Sequence, residues 1–285
     1  MERLIERAQV LIEALPYIQR FAGKTVVIKY GGAAMVHAEL KDAFVQDLVL
    51  LQLVGIRPVV VHGGGPQINE WLDKLAIPSE FVDGIRVTSA EAVEVVEMVL
   101  VGHVNRTIVQ KIQSVGGRAV GLSGKDGGLV RARKAPPKQT STGPRDMGQV
   151  GEVVAVDPSV IDHLDDAAFI PVIAPVAAGE EGETLNLNAD TFASALAVAL
   201  KAEKLVLITD VEGVKDAEGK RIASLTAAEA RALISQGTAK GGMIPKLLAA
   251  LADGVHQAHV IDGRVPHAVL LEIFTDRGIG TLITP

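Results

Sequence analysis

Two apolar runs near the start of the chain each end in a glycine cluster, and one of them carries a lysine. Thr25 to Ile28 lead into Lys29-Tyr30-Gly31-Gly32, and Val59 to Val61 lead into His62-Gly63-Gly64-Gly65. Consecutive glycines after a strand expose backbone N–H groups with no side chain in the way, and a helix N-terminus behind them completes an anion cradle. A tight βα turn accounts for one Gly-Gly. Two clusters with an attached lysine ask for two anionic groups held close together, with Lys29 placed to bridge them. That arrangement suits phosphoryl transfer between two bound substrates. It uses neither common nucleotide fingerprint: G-x-x-x-x-G-K-[ST] is absent, and so is G-x-G-x-x-G after either early strand.

Further chemistry is spread along the chain. Asn186-Leu187-Asn188-Ala189-Asp190 opens a helix that Asn188 or Asp190 could cap. On an extended entry segment the alternating Asn186, Asn188 and Asp190 could instead share one cleft, where Asp190 could orient two lysines by charge-assisted hydrogen bonds. In Lys240-Gly241-Gly242-Met243-Ile244-Pro245-Lys246, the second lysine falls in a first helical turn. A cation there opposes the helix dipole unless an anion neutralises it. In Asp83-Gly84-Ile85-Arg86-Val87-Thr88, Arg86 could hold a substrate carboxylate bidentately or make an ordinary loop ion pair. Thr209-Asp210-Val211-Glu212-Gly213 ends a strand at a turn where a base or ribose could rest.

Composition narrows the class. The 285 residues suffice for one large α/β domain or two modest lobes, and with aromatics at 3% the core must be aliphatic. With no cysteine, disulfides and thiolate catalysis are excluded, and the seven histidines show no metal-ligand spacing. A net charge of −6 argues against nucleic acid as a partner, and no apolar run is long enough for a membrane span. With no targeting segment in view, the expected setting is cytoplasmic.

The positioning elements follow from periodicity. Residues 1–21 read as an amphipathic helix that Pro16 should kink or interrupt, either a brace on its own subunit or an arm joining subunits. Strands at 24–30, 57–62, 118–122, 169–174, 204–209 and 257–261 then alternate with helices near 38–54, 66–75, 89–115, 190–201, 226–236, 243–253 and 266–274. Ser89 is the expected N-cap of the long helix, which Gly116-Gly117 stops. Residues 128–156 read as a hairpin with a mobile Pro/Lys/Gly-rich loop, 134–148. Alternation predicts an α/β fold with a mostly parallel central sheet, ligands lying at the carboxyl ends of its strands.

Together these segments, which run through essentially the whole chain, resemble the amino acid kinase family, and within it the acetylglutamate-phosphorylating branch. The resemblance implies a three-layer αβα sandwich. It implies an oligomerisation helix at 1–21, an N-lobe at 22–177 for the acyl amino acid and dimerisation, and a C-lobe at 178–285 for ATP. The activity implied is transfer of the γ-phosphoryl group of ATP, with Mg²⁺ carried mainly on the phosphates, to the side-chain carboxylate of N-acetyl-L-glutamate in arginine biosynthesis. Carried over by resemblance, Lys29 and Lys246 stabilise the transferring group and Asp190 organises them. Gly64, Gly65, Arg86 and Asn186 bind the acyl amino acid. Gly31, Gly32, Thr209, Asp210, Gly242 and Met243 bind nucleotide.

The N-terminal helix and the segment from His267 to Thr281 are similar to those of the arginine-inhibited branch. That likeness implies a homo-hexamer built as a trimer of dimers, with L-arginine bound by Tyr17, Lys204, His267, Glu272 and Gly278. Some photosynthetic members bind the PII signalling protein, a further candidate partner. Glutamate 5-kinase and aspartokinase-like readings stay open, since a free-amine substrate calls for an acid near Arg86 and Asp83 is there. So does a non-catalytic arginine sensor, which would have no use for phosphoryl-stabilising lysines.

Overall fold

The computed structural model describes residues 1–82, 84–140, 143–275 and 278–285; Asp83, with the expectation attached to it, and the tip of the 134–148 loop at 141–142 lie outside the described residues, as do residues 276–277 of the C-terminal segment. Helix α1 (Glu2–Phe21) leads into β1 (Thr25–Tyr30), a 3-10 turn (Gly32–Met35), α2 (Ala38–Leu53), β2 (Arg57–His62) and α3 (Gly65–Lys74). Next come β3 (Glu80–Val82), β4 (Ile85–Val87), α4 (Ala90–Glu97), a π-helical segment (Met98–Val104), α5 (Asn105–Ser114) and β5 (Ala119–Ser123). A strand-rich stretch follows: β6 (Val130–Lys134), β7 (Lys138–Thr140), β8 (Gly143–Arg145) and β9 (Val150–Val156). Helix α6 (Ser159–Asp166), β10 (Ile170–Ala174), β11 (Val176–Ala178), β12 (Thr184–Leu187), α7 (Ala189–Ala199) and β13 (Lys204–Thr209) come after it. The remaining elements are β14 (Ser224–Thr226), α8 (Ala227–Ser235), α9 (Met243–Ala250), β15 (Ala258–Asp262), α10 (Ala268–Ile273) and β16 (Thr281–Thr284).

The central sheet has eight strands in the order β14-β16-β15-β13-β1-β2-β10-β5, parallel throughout except for the β15–β16 pair. Its middle strands are near-continuous apolar runs because both faces are covered. Val26, Ile28 and Tyr30 of β1 enter one core with α2, α4, α5 and α10, while Val27 enters the other with α7 and α9. The same split repeats on β13, with Val206 and Ile208 on the first face and Leu205 and Leu207 on the second. Two cores on one sheet make the expected three-layer αβα sandwich. The alternation also decides where Lys29 points, since it shares a face with Val27, toward α7 and α9.

Several elements depart from expectation. Pro16 lies inside α1, and the helix runs on through it to Phe21. The stretch 89–115 is helical with Ser89 capping through Ala92 N, but it passes through the π-helical segment in its middle. The hairpin β3–β4, the strands β11 and β12 and the helix α6 were not expected; the strands are only 3 or 4 residues long, too short for a period to show. Strands β6, β9, β12 and β11 close into a small barrel beside the main sheet. The 134–148 loop carries the hairpin β7–β8 and is pinned to β3 by an Arg145–Glu80 ion pair at 2.5 Å. Among the described residues, no helix is long and apolar enough to cross a membrane.

Candidate active site

Three elements converge at the carboxyl end of β1. Lys29 comes up from the strand, Asp190 from the first turn of α7 and Lys246 from α9. Lys29 Nζ lies 3.2 Å from Asp190 Oδ1, and Lys246 Nζ donates to Asp190 Oδ2 at 3.0 Å. Asn188, not Asp190, caps α7, accepting from the N–H groups of Asp190 and Thr191 at 2.9 and 3.1 Å. That division leaves the Asp190 carboxylate for the two lysines.

Lys29 and Asp190 are both buried. Burial pushes the Asp190 carboxyl up, but Lys29 and Lys246 outweigh it and hold it below the usual carboxylate range. Burial pulls Lys29 down, against the attraction of Asp190. Two ammonium groups on one carboxylate leave a net positive charge facing the glycines. A Cβ on Gly31 would fall 2.6 Å from Lys29 Nζ, so the ammonium lies directly against the bare backbone of the first cradle.

The nucleotide residues expected from sequence split into two groups. Gly32, at φ +67°, comes so close to the Thr209–Asp210 backbone that a Cβ would lie 3.4 Å from Asp210 N. This brings the first cradle to the carboxyl end of β13. Gly263 N donates to Thr209 O at 2.7 Å and lies against Ala34, so the 3-10 turn is wedged between the ends of β13 and β15. Gly242 and Met243 begin α9, one turn before Lys246.

Of the four residues expected at the acyl site, Gly65, Arg86 and Asn186 lie on one hydrogen-bonded line. Arg86 Nη2 donates to Asn69 Oδ1 at 2.6 Å and more weakly to Gly65 O at 3.4 Å, and Nη1 donates to Ser79 Oγ. Its guanidinium stacks 4.5 Å over the Phe81 ring. Thr88 Oγ1 donates to Arg86 O and accepts from Asn186 Nδ2, both at 3.2 Å. Among the described residues the hydrogen-bond partners of Arg86 are all neutral. Burial pulls its pKa down, opposed by Asp73. Asn69 and Ser79 were not singled out from sequence, where polar side chains in separate segments carry no common spacing, and Thr88, part of the Arg86 motif, was given no role. The return of the 134–148 loop also enters this line: Gln149 N donates to Thr88 O at 2.6 Å and Asn186 N to Gln149 O at 2.9 Å. Gly148, at φ +70°, passes Thr88 O so closely that any Cβ would overlap it.

A separate cavity of about 350 Å³ lies between the end of α1 and the C-terminal segment, lined by Tyr17, Lys204, Glu272 and Gly278 among others. His267 is not among its lining residues. It starts α10 in the left-handed conformation and bonds Asp47 on α2 at 2.6 Å, while the imidazole facing Glu272 is that of His259, at 2.5 Å. Glu272 sits on the last turn of α10, and its second oxygen accepts from Ile279 N and Gly280 N at 2.7 and 3.2 Å.

The sequence pattern of the amino acid kinase family matches residues 24–262. The chain is similar to the acetylglutamate kinase of Heliobacterium modesticaldum, 54% identical over 294 residues, and to that of Geotalea uraniireducens, 56% identical over 290, with 99% of both chains covered in each case. Among solved structures it is similar to N-acetylglutamate synthase from Neisseria gonorrhoeae complexed with coenzyme A and L-arginine, with a TM-score of 0.81 and 25% identity. That match covers 97% of this chain but 65% of the synthase, so the chain spans under two thirds of that protein. It shares its fold with the carbamate kinase of Giardia lamblia bound to AMP-PNP, at a TM-score of 0.65, 18% identity and coverage of 92% and 99%. A family pattern spanning most of the chain, with relatives more than half identical along its whole length, shows that it belongs to the amino acid kinase family.

Proposed function

We propose that this protein transfers the γ-phosphoryl group of ATP to the side-chain carboxylate of N-acetyl-L-glutamate, giving N-acetyl-L-glutamyl 5-phosphate for arginine biosynthesis. The observation that carries the reading is the Lys29–Asp190–Lys246 cluster against the first glycine cradle. Whole-length relatives that are acetylglutamate kinases support the choice of substrate. A carboxylate is already ionised at neutral pH, so the nucleophile needs no general base. A carboxylate oxygen forms the new bond to phosphorus, the bond from phosphorus to the β,γ-bridging oxygen breaks, and ADP leaves with that electron pair. The protein's task is to bring two anions into line and neutralise charge on the equatorial oxygens.

In this reading Lys29 spans donor and acceptor, Lys246 neutralises the transferring group from the other side and Asp190 aims both. Gly31, Gly32, Gly242 and Met243 lend backbone to the phosphates, with Thr209 and Asp210 against the nucleoside. Gly64, Gly65, Arg86 and Asn186 hold the acyl amino acid. Asp190 has both oxygens committed to lysines, which fits a Mg²⁺ brought in on the phosphates of ATP, where it supplies further charge neutralisation. Residues 22–177 then hold most of the acyl site and 178–285 most of the nucleotide side, with Asn186 crossing one way and Gly31 and Gly32 the other. Measuring ATP turnover with N-acetylglutamate, glutamate, aspartate and UMP tests the assignment. Turnover is expected with the first alone, and preference for another acceptor refutes it.

The cavity beneath α1 supports a second ligand. We assign it to L-arginine as a feedback inhibitor, because Glu272 and Tyr17 both line it. The likeness to a synthase solved with L-arginine favours the same choice. Leu4, Ile5, Val10, Leu11 and Ile12 are exposed on α1, an apolar surface that suits the proposed interlacing of dimers into a hexamer. Deleting residues 1–21 is expected to leave an active dimer with weakened arginine inhibition. A truncated protein that sediments as a hexamer would rule this out.

A further inference from the structure

The carboxyl end of β2 holds a buried polar cluster with no part in the transfer chemistry above. His62, the last residue of β2, and Asn105, the first of α5, are both 0% exposed. Asn105 Nδ2 donates to Val172 O on β10 at 2.8 Å and lies 3.4 Å from Leu122 O on β5 and 3.2 Å from His62 Nε2. Carbonyl oxygens only accept, so Val172 and Leu122 fix which end of the amide is the NH₂. An NH₂ facing Nε2 makes that nitrogen the acceptor, and a neutral imidazole then carries its proton on Nδ1. Nδ1 in turn faces Gly63 O at 2.8 Å, another group that only accepts. Every partner requires the same tautomer. Burial pulls the His62 pKa down to about 4, against the Gly63 bond, so the ring is neutral at physiological pH.

The arrangement leaves one group unpaired. Asn105 Oδ1 has no hydrogen-bond partner among the described residues and packs against Gly121, where any Cβ would overlap it. A buried unpaired acceptor is costly and calls for a reason. The adjoining π-helical segment approaches the same cradle from a second side. A Cβ on Gly64 would lie 2.5 Å from Leu100 and 3.4 Å from Val104, both in that segment. Helical bulges of this kind gather at functional sites. Gly64 and Gly65 head α3, where the first N–H groups have no acceptor within the helix.

We propose that His62 and Asn105 are positioning residues for the acyl-amino-acid cradle. The Asn105 amide locks His62 as the Nδ1–H tautomer, that N–H anchors the Gly63 carbonyl, and the anchored peptide aims the Gly64 and Gly65 N–H groups at the acidic substrate. The inference rests on the acetylglutamate reading. Neither side chain touches substrate; each acts through the backbone.

Two measurements test it. Steady-state kinetics compare wild type with His62→Leu, Asn105→Leu and His62→Asn. Both leucine variants are expected to raise KM for N-acetylglutamate by about 10-fold or more, with KM for ATP and kcat within about 3-fold of wild type. His62→Asn, whose amide NH₂ can stand where Nδ1–H stood, is expected to recover most of the loss. An unchanged KM for N-acetylglutamate, or equal rises for both substrates, overturns the proposal. The second measurement is the nitrogen NMR spectrum of wild-type protein labelled with ¹⁵N-histidine, which decides the matter if the variants do not fold. His62 is expected to show a protonated Nδ1 and a bare Nε2 at neutral pH, and the opposite tautomer overturns the lock. A wild type that leaves N-acetylglutamate unphosphorylated yet shows this tautomer refutes the substrate assignment alone.

Discussion

Lys29→Ala and Lys246→Ala are each expected to lower kcat by at least about 10²–10³ while the fold persists, the typical cost of removing one preorganised charge-stabilising donor. Each variant keeps one lysine on Asp190, so no carboxylate is left buried without a partner. The binding surfaces for the two substrates also remain, which confines the loss to the step in which charge moves onto the transferring oxygens. KM for both substrates should therefore change far less than kcat. Circular dichroism and thermal melts establish that the fold is intact, and initial rates at saturating ATP give the effect. Near-wild-type turnover in either variant would falsify the phosphoryl-transfer role of the cluster.

Asp190→Asn is expected to damage stability as well as rate. Its carboxylate is the shared counter-ion of two lysines, one of them buried on the face of β1 that meets α7 and α9. Removing one partner of a buried ion pair costs about 3–5 kcal/mol because the remaining charge has no compensation. For a chain of this size the loss appears as a fall in Tm of roughly 2–4 °C per kcal/mol. Polyanionic ATP supplies negative charge to the same lysines, so ligand-induced stabilisation should be larger in the variant than in wild type. Differential scanning calorimetry with and without ATP reads both effects. A variant that melts with the wild type would show that the lysines do not depend on Asp190.

Chemistry was the most legible part of this sequence. Lys29 and Lys246 stand beside bare glycine backbone, and Lys246 opposes its own helix dipole, so residue type and local position together revealed them. The long central strands showed as apolar runs stopped by glycine. Short elements did not. Strands β3 and β4 pair with each other, as do β11 and β12, but at 3 or 4 residues each they are too short for a period to show. The partners of Arg86 were hidden because Asn69 and Ser79 meet it only when α3 and the segment after it fold back over β4. The π-helical segment, with three valines and Gly102 among its seven residues, is a weak helix former, yet nothing in its spacing marks a π turn. His267 was expected at the arginine cavity with Glu272 from the likeness to the arginine-inhibited branch. The left-handed turn at the start of α10 sends it to Asp47 instead.

The return of the 134–148 loop threads between Thr88 and Asn186, beside the residues proposed to hold the acyl amino acid. The lysines and their carboxylate stand apart from it, on β1, α7 and α9. Under the proposed assignment, changes in the hairpin are therefore expected to alter which acid is accepted without touching the lysines and their carboxylate, so that substrate choice and reaction chemistry can vary independently in one fold.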